Sequence, residues 1–175
     1  METPIPFDSD APLGDRRAII RRNPEDASEI EMVEAAWGSN PRFSDGISYR
    51  FVRSEGQDFP ANRCLIPASE FQLSVGDTRY RVTLDGGNHF YLAAIWEPAM
   101  GEWPLSYRVI TVSANPEVAQ YQERHGAIIH RRQVMQWLDA AVPVSNLLVT
   151  PPARTFVVEE IPFGKRGAVQ QALAI

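Results

Sequence analysis

The side chains able to do chemistry in this chain are few and fall into three groups. The first is Cys64, the only thiol among 175 residues. A thiolate is a nucleophile and a metal ligand, but in the strand-like run Cys64-Leu65-Ile66-Pro67 the residue reads as a small buried hydrophobe. The second is Arg53 with Glu55. Residues two apart on a strand share a face, so the two form either an ion pair or a phosphate contact oriented by the acid. The third is the basic series Arg124, His125, His130, Arg131 and Arg132. Neither histidine has a cysteine or acid at metal-ligand spacing; both read as surface or internally satisfied residues, and no metal site is expected. Arg124 with Arg131 and Arg132 gives either a basic edge or a solvated helix start. No Gly-rich phosphate loop and no Ser-His-Asp order is present, so no cofactor is expected.

These groups need a scaffold, and the sequence is long enough to supply one. A chain of 175 residues fits one domain with a proper core. The apolar share of 44% and charged share of 22% are those of a soluble globular protein. No apolar run approaches the ~20 residues of a membrane span, and Met1 to Asp8 lacks the basic-then-apolar pattern of a signal peptide. A cytoplasmic location is expected. The net charge of −5 argues against a protein coated in positive charge. Of the 17 basic residues only Lys165 is lysine. Arginine's planar fork grips phosphates and stacks on bases better than lysine, although GC-rich coding produces the same bias.

Residues 1–16, rich in Pro, Asp and Gly, read as an irregular N-terminal arm, and 17–175 as the domain. Strands are expected at 17–22, 30–37, 47–53, 64–67 with a continuation at 71–75, 79–84, 90–96, 106–114, 127–129 and 155–161. Ser44-Asp45-Gly46 reads as a turn. Asp85-Gly86-Gly87-Asn88 is a hairpin signal, which pairs 79–84 with 90–96. Asn115-Pro116-Glu117 starts a short helix, with Asn as N-cap and Pro in the first turn. Residues 131–141 form a second helix with Val134, Trp137 and Leu138 on one face. Trp96, Trp103 and Trp137 are expected in the core, and Trp37, before a glycine, near a groove. The fold class is α+β: one β-rich domain with about seven or eight strands and two or three short helices.

Four stretches in this order resemble the SOS response-associated peptidase (SRAP) family, whose members recognise abasic sites in single-stranded DNA. They are Trp37-Gly38; Val52-Arg53-Ser54-Glu55-Gly56; Arg63 to Phe71, containing Cys64-Leu65-Ile66-Pro67-Ala68; and Thr111 to Arg124, followed by Trp137-Leu138. The resemblance spans about residues 30–140 and implies a DNA-damage (SOS) context. In that family an N-terminal cysteine, exposed when the initiator methionine is removed, attacks the abasic aldehyde through its amine and thiol. The product is a thiazolidine crosslink. An Asn, a Glu and a His position the sugar and move protons, and the Glu also takes part in autocatalytic removal of the methionine.

Carried over position by position, the resemblance implies that this centre is gone. Residue 2 is Glu2. Phe51 stands where the family has Asn, Leu73 where it has the catalytic Glu, and Gln122 where it has His. Glu70 lies three residues before the Glu position, which on a strand is the opposite face, and His125 three residues after the His position. What matches is Trp37, Arg53, Glu55 and Arg124. The resemblance implies that the two arginines contact the DNA backbone, that Trp37 lies by the nucleic-acid face and that Glu55 supports them. The expected function is therefore a divergent SRAP-fold pseudoenzyme that binds single-stranded or abasic DNA without crosslinking or autopeptidase chemistry. The alternative is a structural or protein-interaction module that reuses the fold.

Overall fold

The computed structural model describes residues 4–40 and 50–162. Its elements in chain order are β1 (Pro6–Asp8), β2 (Arg16–Asn23), β3 (Asp26–Trp37), β4 (Phe51–Arg53), β5 (Arg63–Ala68), β6 (Glu70–Val75), β7 (Thr78–Leu84), β8 (Phe90–Glu97), β9 (Ser106–Ser113), α1 (Pro116–Ala119), β10 (Arg124–Gly126), β11 (Ile128–Ile129), α2 (Val134–Leu138) and β12 (Phe156–Glu160). Short 3₁₀ turns at Arg131–Gln133 and Val144–Asn146 are also present among the described residues. The class is α+β and β-rich, as expected. The strand count is a correction: the described residues form 12 strands, more than the seven or eight expected. Strands β1 and β10, three residues each, lie outside the expected strands, and the expected 64–75 run divides into β5 and β6. Stretches of three residues are too short to show a period of two; only their partners make them strands.

The larger sheet closes on itself. Strand β9 pairs with β3, β3 with β2, β2 with β5, β5 with β8, and β8 returns to β9, so these five strands form a barrel. Strands β4 and β10 attach to β9, and β11 to β8. Closure removes the unpaired edges that an open sheet would leave to solvent. The second sheet has four strands in the order β1-β6-β7-β12. Strand β1 pairs in parallel with β6 (Phe7 beside Phe71), so the N-terminal arm contributes a strand and is not wholly irregular.

The hairpin expected across Asp85 to Asn88 does not form. Strand β7 pairs with β6 and β12, whereas β8 lies in the barrel beside β5, β9 and β11. The turn does reverse the chain, and Gly86 and Gly87 hold the positive φ angles (102° and 75°) that it needs. The free edge of β7 is taken instead by β12, with Phe156 opposite Leu84. The expected turn at Ser44-Asp45-Gly46 and the start of the 47–53 strand lie outside the described residues.

Alternation along β5 explains the two-sided core. Cys64 and Ile66 join a cluster with Trp37, Phe71 and Phe90, while Leu65 joins another with Ile110, Ile129 and Trp137. A strand buried on both faces reads as a continuous apolar run, as Cys64 to Pro67 does. Trp137 is fully buried and its indole N–H donates to the Cys64 carbonyl at 2.9 Å. The Arg63 guanidinium lies 4.3 Å from the Trp137 ring centroid, a cation–π contact that caps this packing. At α1, the Asn115 side chain accepts the Val118 N–H, as its sequence position predicts.

Candidate functional site

Where the barrel meets the four-stranded sheet, a cavity of about 340 Å³ opens, and most of the sequence-level candidates gather around it. Strand β4 runs parallel to β9, and its period of two turns Phe51 and Arg53 to the same side. Phe51 forms wall and Arg53 rim, with Thr111 of β9 alongside. From the other sheet come Phe7 and Phe71, from the residues just before β10 comes Gln122, and from the start of β10 comes Arg124. The floor is apolar, and the polar lining comprises two arginines, the amides of Gln72 and Gln122, the Glu123 carboxylate and the buried His125.

The two arginines differ in their commitments. The Arg124 Nε–H donates to Thr111 Oγ1 at 2.9 Å, and Nη2 donates to the Thr111 carbonyl at 2.7 Å and to both Glu55 carboxylate oxygens at 2.7 and 3.1 Å. Burial acts to raise the Glu55 carboxyl, but the hydrogen bond and charge of Arg124, with a smaller field from Arg53, hold it below its usual range. Glu55 therefore pairs with Arg124, sixty-nine residues away, and not with Arg53 as spacing allowed. Arg53 is exposed, and its side chain makes no ion pair among the described residues. Among the described residues that line the cavity, it is the cation left without an ion pair.

Trp37, expected beside a groove, is 2% exposed. Its ring sits 5.3 Å from Phe7, 5.4 Å from Phe51 and 5.3 Å from Tyr107, so it backs the cavity wall and presents no face for a base to stack on. This is a correction: the residue after it is a glycine, but β1 closes over the indole with Phe7. The basic edge of Arg124, Arg131 and Arg132 also divides. Arg131 and Arg132 line a different depression with His89 and His130, away from Arg124.

Of the replaced positions, Phe51 and Gln122 line the cavity, whereas Leu73 is 1% exposed and lies in the core. Phe71 and Leu73 face inward along β6, and Glu70 lies on the other side, bonded to Arg81 and Gln72. That agrees with the face assigned to Glu70 from spacing. Glu70 does not line the cavity.

His125 is internally satisfied, one of the two readings open to it. It is 3% exposed, stacked on Phe71 at 5.7 Å, with Nδ1 2.8 Å from the Gly126 carbonyl and Nε2 accepting the Asn115 N–H at 3.3 Å. That pattern assigns the neutral Nδ1–H tautomer. Burial lowers its pKa, outweighing the hydrogen bond to Gly126, and Arg124 lowers it further. Cys64 is fully buried, and burial pushes its thiol far up. Neither His125, which borders the cavity, nor Cys64, which does not, is thus poised as a nucleophile, and among the described residues no group of His, Cys, Asp and Glu is arranged to hold a metal ion. Nor is any helix among the described residues long and apolar enough to cross a membrane.

Sequence spacing missed Thr111 and the pairing of Glu55 with Arg124. The segment from Thr111 to Arg124 held both Arg124 and its acceptor, but only the β9–β10 register, with Arg124 opposite Ser113, brings the two together as diagonal neighbours.

Comparison with known proteins agrees with this architecture. The family model described as "SOS response associated peptidase (SRAP)" matches residues 10–162. No curated protein matches significantly. Among solved structures, a protein from Bordetella bronchiseptica is 22% identical, with a TM-score of 0.67 and 85% of each chain covered. A protein from Bacteroides thetaiotaomicron is 17% identical, with a TM-score of 0.64, covering 88% of this chain and 77% of that one. A phage-related protein from Bordetella bronchiseptica is 16% identical, with a TM-score of 0.62, covering 86% and 80%. At these identities the structural likenesses establish the fold alone.

Proposed function

Starting from a chain that belongs to the SOS response-associated peptidase family, we propose that it binds single-stranded DNA non-covalently and does not perform the crosslinking and autopeptidase chemistry that the family resemblance implies. The observation that carries this reading is the make-up of the cavity. Phe51 and Gln122, at two positions where reactive polar groups are expected, share it with Arg53 and Arg124, which match the family's backbone-contacting arginines. A proton-moving constellation has been replaced; the cationic rim has not.

The electrostatics favour weak, salt-sensitive binding. Each phosphate neutralised on a single strand contributes about −0.7 to the slope of log affinity against log salt. Arg53 alone gives a slope near −0.7, and Arg53 with Arg124 about −1.4. The test is fluorescence anisotropy of a labelled single strand, intact or carrying an abasic site, across a salt series. No binding at low salt removes the DNA-binding reading. A heat-stable adduct with the abasic strand removes the non-covalent one. A structural or protein-interaction role is favoured if the arginine face is covered. Phe7 and Ser9 of the arm border the cavity, and Arg53 remains exposed beside them, which supports the DNA-binding reading.

A further inference from the structure

The replaced reactive centre is lined anew and has not collapsed, and its new lining has a chemistry of its own. About 340 Å³ remains open, at the lower end of the ~300–1,000 Å³ typical of small-molecule sites. Its walls are π-faced and aliphatic: Phe7, Phe51, Phe71 and Leu92. Phe71 itself belongs to a ring cluster, stacked with His125 and meeting Phe90 and Phe156 edge-on. At the mouth stand the free guanidinium of Arg53 and the amide of Gln122, which offers a donor and an acceptor side by side. An abasic sugar is small and polar and has no π-face, so such walls offer it little. A planar aromatic ring with hydrogen-bonding edges fits the walls and the Gln122 amide, and an anionic tail fits Arg53, although the Glu123 carboxylate also lines the cavity.

We propose that this cavity takes an intact nucleobase splayed out of a single strand, with the ring against Phe51, the base edge at Gln122 and the adjoining phosphate on Arg53. The proposal rests on the DNA-binding reading above and reverses the preference that the family resemblance implies, from the baseless position to the base. Splayed bases stacked on aromatic side chains are a general mode of single-strand recognition.

The experiment compares two labelled strands of equal length and charge, oligo(dT) and a strand made wholly of the tetrahydrofuran abasic analogue, by anisotropy at low salt. The intact strand is expected to bind about tenfold more tightly, the size of one base–aromatic stack. Phe51→Leu, which keeps apolar bulk but loses the ring, is expected to remove most of that difference while leaving the affinity for the abasic strand unchanged. Arg53→Gln is expected to weaken both strands alike. A thermal melt of each variant establishes that it is folded, and Gln122→Ala, at a half-exposed residue, provides a second variant that does not disturb Trp37. It is expected to weaken oligo(dT) selectively. Equal affinity for the two strands overturns the base-binding proposal and leaves the phosphate-binding reading standing. A difference that Phe51→Leu and Gln122→Ala both leave intact also overturns it. Failure of both strands to bind overturns the DNA-binding reading itself.

Discussion

Replacing His125 by phenylalanine separates two costs that the structure makes calculable. The imidazole is neutral in the folded protein because burial lowers its pKa and Arg124 stands beside it. In the unfolded chain it titrates near its ordinary value of 6.5. The unfolded state therefore binds more protons as pH falls through that value, and native stability falls with it. One proton bound only by the unfolded chain gives at most about 1.4 kcal/mol per pH unit. The loss begins near pH 6.5 and continues down to the depressed folded pKa. Stability is fully present above that window. His130, whose pKa burial and Arg132 also lower, adds a second slope of the same sign. In His125→Phe the slope due to His125 vanishes. The variant also leaves the buried Asn115 N–H without its acceptor, a loss of about 1–3 kcal/mol at every pH. Urea unfolding at several pH values from 5 to 8, on the native protein and on His125→Phe, measures both terms. If the variant keeps the native pH slope, the argument that His125 is buried neutral is refuted. If the variant is as stable as the native protein at pH 8, the Asn115 hydrogen bond contributes nothing.

Other perturbations follow from the same geometry. A Cβ at Gly126 would lie 2.9 Å from Leu92 Cδ2 and 3.1 Å from Val109 Cγ1, so Gly126→Ala is expected to cost about 1–3 kcal/mol by overpacking, read as a lowered melting temperature. Glu55→Gln removes a negative charge from the rim and frees Arg124 Nη2. With the Glu55 side chain 59% exposed, stability should change by no more than about 1 kcal/mol, while affinity for a single strand rises in anisotropy titrations. Cys64 is 0% exposed and its thiol is pushed up by burial, so thiol reagents should leave the native protein unlabelled and react once it is unfolded in urea.

What the sequence revealed depended on the range of the forces involved. The start of α1 was legible because Asn115 caps a group three residues on, at Val118. The β5 run was legible because burial on both faces leaves a continuous apolar string. The Asp85 to Asn88 turn was read correctly as a reversal and wrongly as a hairpin. Turn chemistry bends the chain, but which edge a strand finds is decided by distant segments, here β12. The same limit governed the site. Spacing offered Glu55 the neighbour Arg53, while the fold brings Arg124 to it from far along the chain. Phe51 and Gln122 were placed at the cavity by register with the family's segments. Leu73 was placed by the same register, but it faces the core. Trp37 could not be recognised as core, because the ring that covers it, Phe7, sits in an arm too short to show any pattern.

The strand order of the four-stranded sheet also has a consequence for how the protein is made. Its members come from the beginning, the middle and the far end of the described chain, residues 6–8, 70–84 and 156–160. On the ribosome, the five barrel strands have all emerged by Ser113, whereas β12 follows only at Phe156. Between those points β7 presents an unpaired edge, the kind of surface that captures other strands. The barrel is thus poised to form during synthesis, and the sheet that walls the cavity is completed last. A ribosome-stalled chain ending near Pro151 should hold a protease-resistant barrel while its β6–β7 segment stays open to cleavage.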